Sequence, residues 1–385
     1  MRVAYVCADG GVPVFGTKGA ANHVRAVVRA LRRRGAEVTL FAARTGGAPP
    51  ADLADMPLVR MPIPRGGDAE DRARAALAAN AATRRVLADA GRFDLVYERH
   101  ALWSWAAMRA GAALGARAVL EVNAPLLEEQ ARARVLPMPD AAAQAARRAF
   151  GRADALIAVS PAVAHWLEGF AEARGRVHVV ANGVDVALFT PAAHPPAAFT
   201  VGFVGTLKPW HDLATLVDGF ARLAAARSDA RLLVVGDGPG RGALEADLAL
   251  RGLADRATLT GAVDAAEVPD LLRGMSVGVA PYSARQPFYF SPLKLCEYMA
   301  VGLPVAVSRI GHLAEMVRHG VDGLLVAPDD GAALGAALTG LAADPVDAAR
   351  MGATARARAV AEMGWDAAVA RILGIAGLDR RGAAA

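Results

Sequence analysis

The stretch "SPLKLCEYMAVGLPVAVS", residues 291–308, predicts a helix followed by a buried strand. Ser291 and Pro292 are typical of a helix start, with a hydroxyl cap and then a proline at the first helical position. Gly302 and Pro304 end the helix, and the apolar run "LPVAVS" predicts the strand. Because the apolar run "VGVAPY" precedes the stretch, the order is strand, helix, strand, the repeating unit of a parallel sheet.

The same alternation continues along the chain. Short apolar runs such as "RVAYVCA" and "RLLVVG" alternate with amphipathic stretches such as "NHVRAVVRALRRRG". Strands that are apolar on both faces are typical of parallel sheets covered by helices on both sides. The sequence therefore predicts an α/β protein with two doubly wound, Rossmann-like domains. Their parallel sheets are expected to face a central cleft, with ligands at the carboxyl ends of the strands.

A proline-rich segment, "TPAAHPPAAF" at 190–199, marks a break between the two predicted domains. The sequence thus predicts an N-terminal domain over 1–190, a linker over 191–198 and a C-terminal domain over 199–364. The Ala-rich end is predicted to be helical. Its last segment, 365–385, is expected to pack back toward the N-terminal domain.

Length and composition fit two domains with sizeable cores. The chain has 385 residues, of which 54% are hydrophobic and 21% charged. Its two cysteines, Cys7 and Cys296, fall in different predicted domains, which favours reduced thiols in the cytoplasm over a disulfide framework. Each apolar run is broken before about 18 residues, so no membrane span is predicted. No Cys/His cluster has metal-ligand spacing, so no metal site is predicted.

Positive charge is concentrated in the first half of the chain. Residues 1–190 contain 25 Lys and Arg against 18 Asp and Glu, whereas the remaining residues contain 18 against 20. A basic N-terminal half could meet an anionic substrate or, as a peripheral contact, the surface of a membrane. Arginines on solvated helix faces explain the same imbalance, and both interpretations stay open. Nucleic acid is not expected as a partner.

The three lysines of the chain, Lys18, Lys208 and Lys294, all fall where a predicted strand gives way to a helix. At the helix start beside Lys294, the backbone N–H groups of Leu293 and Lys294 favour an anion. A lysine has the wrong charge for that helix end unless a phosphate lies between them. The alternative is a surface pair between Lys294 and Glu297, three residues apart.

Four segments match a known family in their order and spacing. They are "NGVD" (182–185), "VGTLKPWHDLATLVDGF" (204–220), "VVGDGPGRGALE" (234–245) and "SPLKLCEYMAVGLPVAVSRIGHLAEMV" (291–317). "FGTKGAANHV", "RGAEVTLFA" and "VSPAVAHWL" match it more loosely. The sequence resembles glycosyltransferase family 4. The resemblance implies the GT-B architecture, a nucleotide-sugar donor and retention of anomeric configuration.

The resemblance also implies a donor site in the second domain. Glu297 would bind the donor ribose, as the second glutamate of the family's Glu-x7-Glu motif does, and Lys294 would hold the diphosphate. Gly19 would let a loop of the first domain approach the phosphates. The residues expected to contact the donor are Gly19, Gly205, Thr206, Lys208, His211, Gly236, Val263, Tyr289, Ser291, Leu293, Lys294 and Glu297. Those expected to take part in catalysis are Lys294, Glu297, Lys208 and Asn123.

The chain departs from the family pattern at three places. Tyr289 stands where the first glutamate of the motif is expected. Thr206 and His211 stand where the family commonly has arginine and lysine. Lys208 and His211 are expected to supply that charge, His211 only in part near neutral pH. Asn123 stands about where the family often has a histidine near the reacting sugar.

Three glutamates surround Asn123 in the sequence. Glu121, Glu128 and Glu129 either line the acceptor side of the first domain or lie on a solvated helix surface. The residues leave these alternatives open.

We expect a metal-independent, retaining glycosyltransferase without a cofactor, in which lysines and helix N-termini neutralise the leaving diphosphate. The acceptor is not identified by the sequence. A sugar-nucleotide epimerase of the same architecture and a non-catalytic nucleotide-sugar-binding protein are alternatives. A nicotinamide oxidoreductase is disfavoured because Arg241 takes the place of the third glycine of G-x-G-x-x-G.

Overall fold

The computed structural model describes residues 1–17, 19–62, 66–133 and 135–379, so Lys18 lies outside the described residues. The chain forms two compact units. Unit 1 holds Met1–Asn182 and the segment that begins at Trp365, and unit 2 holds Gly183–Gly364.

Unit 1 is built on a seven-stranded parallel sheet with the order β3-β2-β1-β4-β5-β6-β7. The strands are mostly buried, as expected for a sheet covered on both faces. Their bounds are β1 (Arg2–Cys7), β2 (Glu37–Ala42), β3 (Leu58–Arg60), β4 (Leu95–Arg99), β5 (Arg117–Val122), β6 (Ala155–Ala158) and β7 (Val177–Val179).

Helices connect these strands and cover the sheet. Their bounds are α1 (Gly19–Arg33), α2 (Ala69–Asp89), α3 (Ala106–Leu114), α4 (Leu126–Ala133), α5 (Pro139–Phe150) and α6 (Pro161–Glu168). Two of them begin with side-chain caps. Asp68 forms a capping box at the start of α2, and the Ser160 hydroxyl accepts the Val163 N–H at the start of α6.

Unit 2 is built on a six-stranded parallel sheet with the order β10-β9-β8-β11-β12-β13. The bounds are β8 (Thr200–Val204), β9 (Arg231–Val235), β10 (Ala257–Leu259), β11 (Val277–Ala280), β12 (Val305–Ser308) and β13 (Leu324–Val326). In both sheets the strand order changes direction beside the first strand of the unit. Two doubly wound Rossmann-like units, as predicted, are therefore present.

The helices of unit 2 are α7 (Leu213–Ala226), α8 (Arg241–Leu250), α9 (Val268–Arg273), α10 (Leu293–Val301), α11 (Leu313–Met316), α12 (Gly331–Ala343) and α13 (Pro345–Glu362). The chain then returns to unit 1 as α14 (Trp365–Ile375), which packs on α1. Within the described ranges, no helix combines the length and the apolar character needed to cross a bilayer.

The proline-rich segment predicted as a linker belongs to unit 2, which begins at Gly183. The residues just before it are tied to α13. The guanidinium of Arg356 donates to the carbonyls of Phe189 at 2.7 Å and Val186 at 3.0 Å. Phe189 is buried in the core of the same unit. These contacts explain why the division between the units precedes the prolines.

The start of α10 differs from the sequence-based expectation. The helix begins at Leu293, Pro292 occupies the N-cap, and no side chain caps the helix. The prediction that the Ser291 hydroxyl caps the helix is therefore wrong by one position. The predicted end is confirmed, because Gly302 adopts a left-handed conformation with φ of 81°.

Tyr298 joins α10 to the sheet of unit 2. Its hydroxyl accepts the N–H of Val204, the last residue of β8, at 2.7 Å. Its ring lies against Gly278 of β11, where a Cβ atom would approach the ring to 2.4 Å. This contact fixes α10 beside the end of the first strand of the unit.

We expect Tyr298→Phe to lower the free energy of unfolding of unit 2 by about 1–3 kcal/mol, because the Val204 N–H loses its acceptor. Urea denaturation measures the change. The matched control is Tyr5→Phe in unit 1, since the buried Tyr5 hydroxyl has no partner among the described residues. That variant should be as stable as the parent protein or slightly more stable. Equal loss in both variants would contradict a role for the Tyr298 hydrogen bond.

Candidate functional site

Lys294, in the first turn of α10, carries a buried ammonium group. The residue is 7% exposed, and its Nζ lies 3.9 Å from the ring centroid of Phe203 and 5.5 Å from that of Tyr282. Nζ has no hydrogen-bond partner in the part of the chain that the structure describes. Cation–π contacts offset only part of the cost of removing an ammonium group from water.

Burial changes the acid–base behaviour of this turn. Loss of water lowers the pKa of Lys294 to about 7, against the opposing influence of Glu297. Burial likewise raises the pKa of Glu297, and the charge of Lys294 opposes that rise. The two groups are linked through their charges, but no ion pair joins them. The alternative of a surface pair between Lys294 and Glu297 is therefore wrong for Lys294, which is not on the surface.

Two glycines bring loops of unit 2 into backbone contact beside Lys294. Gly205, which follows β8, has a φ of 141°, and a Cβ atom there would lie 3.0 Å from Lys294 Nζ. Gly236, which follows β9, has a φ of 133°, and a Cβ atom there would lie 2.2 Å from the Gly205 carbonyl oxygen. A side chain at Gly236 would therefore push the two loops apart, and one at Gly205 would displace the end of the Lys294 side chain. Both glycines were expected at the donor site.

His211 does not supply positive charge, contrary to the sequence-based expectation. Its Nδ1 lies 2.6 Å from the Thr206 carbonyl oxygen, so Nδ1 must carry the hydrogen. Burial, together with the nearby Lys294 charge, lowers the pKa of His211 to about 2, against the opposing effect of the hydrogen bond with Thr206. The imidazole is therefore neutral at physiological pH. Thr206 itself is exposed, and Lys208 lies half-buried with its Nζ 5.8 Å from the Trp210 ring centroid.

An aromatic cluster surrounds this turn, although aromatic residues make up only 5% of the chain. We use the name for Trp210, Tyr282, Phe288, Tyr289 and Phe290. Tyr289 and Phe290 have ring centroids 4.4 Å apart, and Phe290 stacks with Trp210 at 5.8 Å. Phe288 meets Tyr282 edge to face at 4.8 Å. Tyr289, at the place of an expected glutamate, therefore lies among rings.

The remaining predicted donor residues lie in the same unit, except one. Leu293 opens α10, and Ser291, two residues before it, is buried. Val263 is half-buried against the apolar core that also contains the buried face of α10. Gly19 is the first residue of α1 in unit 1.

In unit 1, Asn123 follows β5 and is held by a buried carboxylate. Its Nδ2 donates to Glu121 Oε1 at 2.5 Å. His23 Nε2 lies 2.5 Å from the same oxygen, the Tyr97 hydroxyl donates to Oε2, and Arg99 Nη1 lies 3.6 Å from Oε1. We call Glu121, His23, Tyr97, Arg99 and Asn123 the glutamate cluster.

Glu121 is 2% exposed, so the alternative of a solvated helix surface is wrong for this residue. Burial alone would raise its pKa. The contacts from His23, Arg99 and Tyr97 outweigh that effect and hold the pKa at about 2. An ionised carboxylate accepts hydrogen bonds only, so the Tyr97 hydroxyl and Asn123 Nδ2 donate to it, and His23 Nε2 lies at ion-pair distance. Asn123 Oδ1 is thereby left to face a different partner.

The sequence analysis missed His23, Tyr97 and Arg99. A signal was present, because the strands "LVYER" and "RAVLEV" carry charged residues at positions that a parallel sheet buries. A charge in such a strand needs a partner on a neighbouring element. The register of β4 against β5 identifies one such partner, because it places Arg99 opposite Glu121. His23 comes from α1, nearly a hundred residues earlier in the chain.

Across the described ranges, no three His, Cys, Asp or Glu side chains lie close enough together to hold a metal ion.

Comparisons with known proteins identify similar sequences over both units. The family model described as Glycosyltransferase Family 4 matches residues 17–188, and the one described as Glycosyl transferases group 1 matches residues 198–344. D-inositol 3-phosphate glycosyltransferase 1 of Catenulispora acidiphila is 30% identical over 397 residues, which cover 94% of this chain and 91% of that protein.

A second relative matches over part of its length. D-inositol 3-phosphate glycosyltransferase of Thermobispora bispora is 34% identical over 215 residues, and the match spans about half of each protein, 51% of this chain and 49% of the relative. The solved structure of sucrose-phosphate synthase from Thermosynechococcus elongatus resembles the fold with a TM-score of 0.76. It is 22% identical, and the match covers 97% of this chain and 98% of that one. The predicted GT-B architecture is confirmed.

We expect Glu121→Gln to lower the free energy of unfolding of unit 1 by about 2–4 kcal/mol at pH 7, because three side chains lose a charged partner. The folded pKa of Glu121 lies below the ordinary value of 4.5. Its stabilisation is therefore complete above about pH 4.5 and is lost as the pH falls toward 2.

Urea denaturation of parent and variant between pH 7 and pH 3 tests this expectation. The difference in unfolding free energy should shrink as the pH falls. Glu129→Gln, an exposed change on α4, is the matched control and should leave stability unchanged. A difference between parent and Glu121→Gln that does not depend on pH would show that Glu121 carries no charge in the folded protein.

Proposed function

Because the chain belongs to glycosyltransferase family 4, we propose that unit 2 binds the diphosphate of its nucleotide-sugar donor at the first turn of α10. The protein is a glycosyltransferase, which moves a sugar from such a donor to an acceptor. The buried ammonium group of Lys294 carries the proposal, since none of the described residues supplies it with an acceptor. A phosphate oxygen beside Nζ would replace the water that burial removed.

The surroundings of Lys294 suit a phosphate. The N–H groups of Leu293 and Lys294 occupy the first two positions of α10, where no carbonyl of the helix can accept them. The positive end of the helix dipole adds to the charge of the ammonium group. Gly205, with no side chain, leaves the backbone of its loop open to a ligand beside Nζ. Lys208, in the same loop, is a second cation for the diphosphate.

Glu297 suits the ribose of the donor. It lies one turn after Lys294 on α10, so a phosphate at the helix start would place an adjoining ribose near it. A carboxylate accepts two hydrogen bonds, which matches the two hydroxyls of a ribose. In the protein without donor, burial raises the pKa of Glu297. Bonds from the ribose hydroxyls would favour the ionised carboxylate.

The aromatic cluster suits the transferred sugar. Tyr289 offers one hydroxyl where a carboxylate is expected, and neighbouring rings offer flat apolar faces. We propose that this part of the site selects the sugar mainly by packing against its C–H faces. A donor sugar that needs a carboxylate partner for its hydroxyls would then be a poor substrate.

For the transfer step, we propose that the diphosphate leaves with its negative charge held by Lys294, Lys208 and the start of α10. The acceptor hydroxyl then attacks the anomeric carbon from the same face and gives its proton to an oxygen of the departing diphosphate, which retains the anomeric configuration. These cations and the helix dipole take the place that a metal ion has in other transferases, so the proposed mechanism is metal-independent. In unit 1, Glu121 orients Asn123 so that its Oδ1 can accept a hydrogen bond from a hydroxyl group.

The comparisons give no support to an epimerase. The alternative of a non-catalytic nucleotide-sugar-binding protein shares the donor site and differs in lacking transfer. Assay of sugar transfer to a panel of hydroxylic acceptors separates the two.

We expect Lys294→Ala to weaken binding of the matching nucleoside diphosphate by about tenfold to a hundredfold, because hydrogen bonds between charged groups are worth about 1.5–3 kcal/mol. Binding of the bare nucleoside should be unchanged. A thermal-shift screen with UDP, GDP and ADP in EDTA selects the ligand, and isothermal titration calorimetry in EDTA measures both affinities.

Arg231→Ala is the matched control. It removes one positive charge at the start of β9, the end of the strand away from the Gly236 loop. It should leave the affinity for the diphosphate unchanged. Equal affinity of Lys294→Ala and the parent would contradict the proposed phosphate site, and binding that requires a divalent ion would contradict the metal-independent mechanism.

A further inference from the structure

Unit 1 contains a surface pocket with a strongly basic lining. Trp105, Arg109, Arg148 and Arg152 line it, and we call it the arginine pocket. Trp105 and Arg109 come from the start of α3, whereas Arg148 and Arg152 come from the end of α5 and the turn after it. Among the described residues, the lining contains three positive charges and no acidic side chain.

No carboxylate of the described residues pairs with the three guanidinium groups. Arg109, Arg148 and Arg152 are exposed, and none forms an ion pair with a carboxylate of the described residues. Elsewhere in unit 1, arginines on helix surfaces do find carboxylates. Arg29, for example, binds Asp52 through two N–H groups at 2.6 and 2.9 Å. Three unpaired cations that line one pocket repel each other, and an anion between them would relieve that repulsion.

Arg148 is held in place without using its hydrogen-bond donors. Its guanidinium carbon lies 5.3 Å from the centroid of the Trp105 ring. A cation–π contact of this kind restrains the planar group by its face and leaves the N–H groups along its edge available. Those groups form the fork that matches two oxygens of a phosphate.

The backbone at Trp105, which lines the pocket, is also held in place. Asn80 of α2 accepts the backbone N–H of Trp105 at 3.0 Å and donates to the carbonyl of Trp103 at 2.8 Å. Asn80 is itself buried. The tryptophan that positions Arg148 is thereby tied to a second helix. The pocket is therefore organised before any ligand binds.

We propose that the arginine pocket binds a phosphate group carried by a ligand of unit 1. A phosphate presents several oxygens and up to two negative charges, which three guanidinium groups can meet together. A single carboxylate presents only two oxygens and one charge. The site is separate from the proposed donor site, since its residues are in unit 1 and Lys294 is in unit 2. The phosphate belongs either to a soluble molecule or to a lipid headgroup.

Isothermal titration calorimetry with inorganic phosphate tests the proposal. The variant is Arg148→Gln with Arg152→Gln, for which the dissociation constant should rise at least tenfold. The matched control is Arg84→Gln with Arg85→Gln, which removes two exposed arginines of α2 and should bind phosphate as the parent does. The titration is carried out with the matching nucleoside diphosphate at saturation, which occupies the proposed donor site, so that phosphate binding at the arginine pocket is measured separately from the donor site. Trp105→Phe keeps a ring and should weaken binding less than the double arginine variant.

Vesicles distinguish the source of the phosphate. Co-sedimentation with phosphatidylglycerol vesicles, lost in the double arginine variant and absent with phosphatidylcholine alone, identifies a lipid headgroup. Phosphate binding without vesicle binding identifies a soluble ligand. The proposal is overturned if the double arginine variant binds phosphate as well as the parent, or if the α2 control loses the same affinity.

Discussion

A buried ammonium group with no acceptor among the described residues is the constraint on which the arrangement of unit 2 depends. Lys294 lies against the face of Phe203 with its Nζ 3.9 Å from the ring centroid, and burial lowers its pKa to about 7. Gly205 must lack a side chain to leave room for Nζ, and Tyr298 holds the helix that carries Lys294 against the sheet. Each of these features is costly or restrictive for folding alone. Together they form a site in which one anionic ligand would satisfy the lysine and the helix start.

The buried charge of unit 1, that of Glu121, is instead paired by side chains of the protein itself. Glu121 accepts hydrogen bonds from Tyr97 of β4 and from Asn123, which follows β5, and His23 of α1 lies at ion-pair distance, so its pKa falls to about 2. A fully paired carboxylate holds its partners in place, so Glu121 orients Asn123 without a ligand. A charge that is unpaired, as at Lys294, gains most when a ligand arrives. The protein itself thus pairs the buried charge of unit 1, whereas the proposed donor phosphate would pair that of unit 2.

Much of the fold could be predicted because its determinants are local. Apolar runs gave the strands, and Gly302 gave the end of α10 through its freedom to adopt positive φ. Lys294 stood out because lysine is rare in this chain and lies at a helix start. The Ser291 cap was mispredicted by one position, since Ser and Pro are both favoured at helix starts and their order alone does not fix the first turn.

The features that escaped prediction depend on contacts between distant residues. Burial makes His211 neutral, and no property of the segment "LKPWHD" shows that rings of Phe203 and Tyr282 will enclose it. His23 and Glu121 meet only because α1 packs over the strand that contains Glu121. Sequence spacing carries no information on such meetings, whereas a charged residue in a buried strand does indicate that some partner exists.

The central claim, that Lys294 is a buried cation whose partner is the donor phosphate, is tested most directly by the titration of its ammonium group. The chain has three lysines, so NMR of protein labelled with ¹³C at lysine Cε resolves few signals. One signal should titrate near pH 7, disappear in Lys294→Arg, and titrate at higher pH once the matching nucleoside diphosphate is bound. Lysine signals that all titrate above about pH 9 in the protein without ligand would contradict the account.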